Sequence, residues 1–90
     1  MPGARWLIVE DAFPDARGIL LKPRVVVEAP FRGEVDVTLR SPGGGERRAR
    51  ASLMVSHVRG ALAPFAMVRL RGVALEDAPA GTEVWADAPL

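Results

Sequence analysis

Ninety residues with no cysteine and one histidine, His57, exclude disulfides, thiolate metal sites, thiol nucleophiles and a paired-histidine zinc site. The hydrophobic fraction of 49% argues against disorder, the length suits one domain over 1–90, and no charge-free run approaches the ~20 residues needed to cross a bilayer as a helix. The net charge of +1 is unevenly spread: Arg40 to Arg71 holds seven basic residues against one acid, Glu46, whereas Gly72 to Leu90 holds four acids and no base.

In chain order, Trp6-Leu7-Ile8-Val9 is cut off by Glu10 and Asp11, too early for a secretory signal. With no cysteine, this fits a cytoplasmic chain. Arg5 to Asp11 reads as a strand of imperfect alternation, followed by a turn at Pro14-Asp15. Gly18 to Glu28 is a second strand, favoured by β-branched Val25-Val26-Val27. Glu34 to Arg40 alternates strictly, apolar on odd positions and polar on even ones, as a strand with one wet face does. After the flexible loop Ser41-Pro42-Gly43-Gly44-Gly45, the alternation resumes from Arg48 to Val55, at Val68 to Arg71, and from Glu83 to Asp87. No window carries a 3.6-residue apolar stripe, so no long helix is expected. The pattern predicts an all-β domain, a small closed antiparallel Greek-key barrel of six to seven strands, since closure removes exposed edges.

Three segments, in order, carry a family resemblance. "VEDAFPDARG" (9–18), Ser52-Leu53 with His57, and "LRGVALEDAPAGTEVWA" (70–86) are similar to domain 2, the β-barrel domain, of elongation factor Tu and its translational GTPase relatives. The likeness covers nearly the whole chain. It implies a translation-factor barrel that meets RNA and the ribosome, and a pocket for an aminoacyl end in which Glu10, Asp11 and Phe13 take part. Departures lie at Lys22-Pro23-Arg24, Gly33-Glu34 and Leu62-Ala63-Pro64, and Ala80 stands where the family's loop around Asp77 has a base. The chain has neither a Gly-x-x-x-x-Gly-Lys-Ser/Thr phosphate loop nor an Asn-Lys-x-Asp motif, so nucleotide hydrolysis has no machinery. No catalytic residue, metal ligand or cofactor site is assigned.

The residues themselves point to an arginine face. If residues 48–57 and 65–71 pair as a hairpin, Arg50 lies opposite Arg71, Ser52 opposite Arg69 and Met54 opposite Met67. Like charges directly opposite destabilise a sheet by roughly 0.2–1 kcal/mol. Either an acid (Glu46, Glu83 or Asp87) lies between them, or Arg48, Arg50, Arg69 and Arg71 hold an anion such as RNA phosphate, with Phe65 stacking a base. Trp85 falls on the polar phase of its strand. With Met54 and Met67 it marks a surface for a protein partner or a homodimer, or else it lies flat across its own barrel. His57 falls on the inward phase and is read as structural. The expected function is a non-catalytic binding module for RNA or the ribosome; the alternative is a protein-interaction or structural module that self-associates.

Overall fold

The computed structural model describes residues 3–27, 32–56 and 65–87. They form eight strands: β1 (Ala4–Ile8), β2 (Asp11–Asp15), β3 (Gly18–Lys22), β4 (Val25–Val26), β5 (Val35–Arg40), β6 (Glu46–Ser56), β7 (Phe65–Arg71) and β8 (Glu83–Ala86). A single 3-10 turn, Leu75–Asp77, is the only helical element among the described residues. The fold is all-β and antiparallel throughout. His57 and the turn that joins β6 to β7 lie outside the described residues.

Eight strands appear where six or seven were expected: the second predicted strand divides, and β2 is an additional strand where only Asp11, the end of the first, and a turn at Pro14-Asp15 were expected. Pro23 has no amide hydrogen to offer a ladder, so the second predicted strand ends as β3 and restarts as β4. Both pieces pair with β7, through Ile19↔Leu70 and Val25↔Ala66. The first predicted strand ends as β1, and the chain passes to β2 at Val9-Glu10. Val9 N–H donates to Thr82 O at 2.7 Å, extending the β1–β8 ladder, and Glu10 N–H donates to Lys22 O at 2.8 Å, opening the β2–β3 ladder.

The expected turn at Pro14-Asp15 also moves. β2 continues through both residues, and the turn is Ala16-Arg17, with the Ala16 N–H donating to Asp15 Oδ1. Among the described residues β2 pairs only with β3, so Pro14 stands on an edge strand, where a missing donor is tolerated.

The sheet order is β1-β8-β5-β6-β7-β3-β2, with β4 on β7. No ladder joins β1 to β2, so the ladders alone form an open sheet rather than the closed ring expected from the alternation. One apolar face collects Leu7, Val9, Ile19, Leu21, Val37, Leu39, Ala51, Val68, Leu70 and Val84 into a single core cluster. In β5 and β7 every second residue is inward, as the pattern requires. The imperfect alternation of β1 has a definite cause. Arg5 faces Trp85 and Leu7 faces Val84, so Trp6 is the extra residue of a bulge. The bulge turns Leu7 and Val9 inward and leaves Ile8 exposed.

Gly18, where β3 crosses β7, has no room for a side chain: an added Cβ would strike the Leu70 carbonyl oxygen. Gly43, in the β5–β6 loop, faces open space. Gly18→Ala is expected to destabilise the fold by more than about 1 kcal/mol, lowering the melting temperature by several degrees. Gly43→Ala should melt within about a degree of the natural chain, since surface changes stay within ±0.5 kcal/mol. Thermal denaturation followed by circular dichroism checks both.

Candidate functional site

Because β6 and β7 are antiparallel neighbours, their outward residues meet in pairs, and the register is Arg50↔Arg71, Ser52↔Arg69, Met54↔Met67. Two like charges therefore do face each other. The acids that separate them are not Glu46, Glu83 or Asp87. Glu34, at the entry to β5, places Oε2 3.1 Å from Arg71 Nη1 and Oε1 3.8 Å from Arg50 Nη1. Asp36, directly opposite Arg50 on β5, adds a contact at 3.7 Å and reaches Arg48 at 3.9 Å. Asp15, at the β2–β3 turn, takes Arg69 in a two-nitrogen grip, with Nη2 at 2.7 Å and Nε at 2.9 Å from Oδ2.

These pairs differ in worth. The Arg69 and Asp15 side chains are only 14% and 23% exposed, so their bond is sheltered from water and salt. The Arg48–Asp36 contact joins side chains 72% and 62% exposed and contributes little. The three acids named at first act elsewhere. Glu46 pairs with Arg40 at 3.0 Å, Glu83 pairs with Arg5 and accepts from Trp85 Nε1, and Asp87 lines a separate cleft.

A cleft of about 400 Å³ opens over this arrangement, lined by Arg17, Arg32, Gly33, Glu34, Ser52, Leu53, Arg69 and Arg71. One wall is the β2–β3 turn, another the segment entering β5, and the floor is β6 and β7. Asp15 holds Arg69 and Glu34 holds Arg71, while Arg17 and Arg32 have no acid partner among the described residues. Both are exposed. The sequence reading missed these two, since they lie far along the chain from the basic stretch and join it only through the β3–β7 pairing and the entry to β5.

The remaining candidates are dispersed. Phe65 lies four residues from Arg69 along β7, roughly 13 Å at strand rise, and faces Val26 rather than the cleft. Arg48 borders a second cleft of about 490 Å³, where Arg40 and Arg48 are balanced by Glu46 and Asp87. Trp85 also lines that cleft. It is half-buried, its Nε1 donates to Glu83 at 2.8 Å, and the Arg40 guanidinium lies 5.8 Å from its ring centroid. The register Trp85↔Thr38↔Arg48 places it six residues along β6 from Met54, roughly 20 Å, so Trp85 does not join Met54 and Met67 in one patch. Glu10 and Asp11 are exposed where β1 passes into β2, and Phe13 packs under Lys22, with Nζ 5.2 Å from its ring centroid. Asp77 meets a base after all: Arg47 of β6, at 3.5 Å.

Among the described residues no group of three or more acid or histidine side chains could hold a metal ion, and no helix is long and apolar enough to cross a membrane. No family model, no curated protein and no solved structure matches the chain.

Asp15→Asn removes the charge that Arg69 grips and leaves a half-buried guanidinium short of its partner. It should cost about 1.5–3 kcal/mol, the range for hydrogen bonds to charged groups. Glu46→Gln, at the exposed Arg40 pair, should cost under about 0.5 kcal/mol, less still in high salt. Urea denaturation of both variants at low and high salt measures the contrast.

Proposed function

We propose that the chain is a non-catalytic binding module that contacts RNA, free or within the ribosome, through the cleft between the β2–β3 turn and the entry to β5. The observation that carries this reading is the convergence there of Arg17, Arg32, Arg69 and Arg71, two of them without an acid partner among the described residues. Guanidinium groups offer paired N–H donors that match phosphate oxygens, and surplus positive charge draws a polyanion. The second cleft is larger but balanced in charge, which argues for the arginine-rich one.

The fold belongs to the same proposal. β1 and β2 end the sheet order yet are consecutive in sequence, and the residues between them bond to Thr82 on one side and Lys22 on the other. Counting β1 with β2 as one strand, and β3 with β4 as another, gives a six-membered ring closed through the chain itself. That connectivity supports a Greek-key barrel like domain 2 of elongation factor Tu. Aminoacyl-tRNA carriage is not part of the proposal, because Glu10, Asp11 and Phe13 lie apart from the cleft.

The test is a titration with a short single-stranded RNA at increasing salt. Affinity should fall steeply, and replacing both Arg17 and Arg32 by Ala should reduce the slope of log K against log salt by up to about 2. Affinity indifferent to salt overturns the reading.

A second reading has its own observation. Val26 and Phe65, 53% and 36% exposed, face each other across β4 and β7 beside the Met54–Met67 pair. Such an apolar strip suits a protein partner or a second copy of the chain. Static light scattering decides it for the second copy. A dimer that Phe65→Asp converts to monomer supports self-association; a monomer at high concentration rejects it.

A further inference from the structure

Glu34 does more than screen two arginines. Its carboxylate bridges them, one oxygen toward Arg71 and the other toward Arg50, on residues that the β6–β7 register sets face to face. A carboxylate so placed has the charge and the twin acceptor oxygens of a bound oxyanion. Arg71 and Glu34 both line the basic cleft, so the bridged position opens directly onto it. The partners also differ in what they would keep if Glu34 withdrew. Arg50 retains Asp36 at 3.7 Å, whereas Glu34 is the only acid paired with Arg71 among the described residues.

We infer that the position between Arg50 and Arg71 is a phosphate seat, occupied in this structure by the Glu34 carboxylate, and that a phosphate group takes it by displacing that carboxylate. The inference rests on the RNA reading for the choice of phosphate and adds to it a competitor built into the chain. Displacement is feasible because the arginine side of both contacts is open to water: the Arg50 and Arg71 side chains are 65% and 59% exposed. Although Glu34 itself is 22% exposed, one contact is 3.8 Å long, so these pairs are weaker than the Arg69–Asp15 bond, in which both partners are sheltered. A phosphate that enters gains Arg71 wholly, with Arg17 and Arg32 alongside in the same cleft. Glu34 thereby lowers affinity for every phosphate ligand, and a ligand must supply several contacts at once to win.

The experiment compares the natural chain with Glu34→Gln and with Glu76→Gln, which removes the same charge from the exposed Leu75–Asp77 turn. Each is titrated with inorganic phosphate against chloride at matched ionic strength, following the melting temperature, and separately with single-stranded RNA. Glu34→Gln is expected to half-saturate at a phosphate concentration ~3- to 10-fold lower than the natural chain, while Glu76→Gln is unchanged. Arg71→Gln in the Glu34→Gln background should abolish the gain. Equal responses from the two single variants, or no gain in Glu34→Gln, overturn the seat even if RNA binds. A gain for phosphate without any RNA binding upholds the seat and overturns the RNA reading instead. Should Glu34→Gln fail to fold, Glu34→Asp, one methylene shorter, carries the test with a smaller gain expected in the same direction; no gain there also overturns it.

Discussion

Arg50 against Arg71 is the constraint around which the charged face of this protein is arranged. The inward residues Ala51, Leu53, Val68 and Leu70 fix the β6–β7 register, because a slip by one position would turn the core outward. Once that register is set, two guanidinium groups must lie side by side, and the structure around them answers the repulsion. β5 comes to lie beside β6 with Asp36 facing Arg50, and its entry brings Glu34 within reach of both. The hairpin β2–β3, packed on the other side of β7, contributes Asp15 to Arg69. Acid thus arrives from both flanks of a basic strand pair, and two arginines without an acid partner among the described residues, Arg17 and Arg32, line the cleft those flanks create.

The chain's own neutralisation of its basic stretch changes how its charge should be read. Seven bases against one acid between Arg40 and Arg71 look like a broad cationic surface. Folded, Arg40, Arg47, Arg48, Arg50, Arg69 and Arg71 each lie within ion-pair distance of an acid. Among the described residues, the bases without an acid partner come from outside that stretch, and two of them, Arg17 and Arg32, meet it in one cleft.

What the sequence made legible follows from short-range regularities. Strict alternation in 34–40 and 68–71 exposed the strands and their inward faces, and extending it along 48–57 and 65–71 carried the pairing of Arg50 with Arg71 and Met54 with Met67. The inward phase of the first strand was hidden because a bulge at Trp6 reverses it within five residues, which reads as weak alternation, and β2 was hidden because Pro14-Asp15 carries a turn signal. The second strand divides at Pro23, whose missing donor interrupts the ladder that the three valines after it favour. The position of the acids was not legible at all. Glu34, Asp36 and Asp15 reach the arginines through strand neighbours set by the order of the whole sheet, and no local spacing encodes that order. The same limit parted Trp85 from the methionines and Phe65 from the cleft arginines, which share a side of the sheet but not a region of it.

The pairing of Ala4 with Ala86 has a kinetic corollary. The meander β5-β6-β7 joins segments close in sequence and can assemble early, at small loss of chain freedom. β1 with β8 joins the two ends, and the span from Val9 to Thr82 must be drawn together before either ladder beside it is complete. The β1–β8 ladder is thus the pairing of greatest separation along the described residues, and contacts of that kind are the ones that slow a β fold.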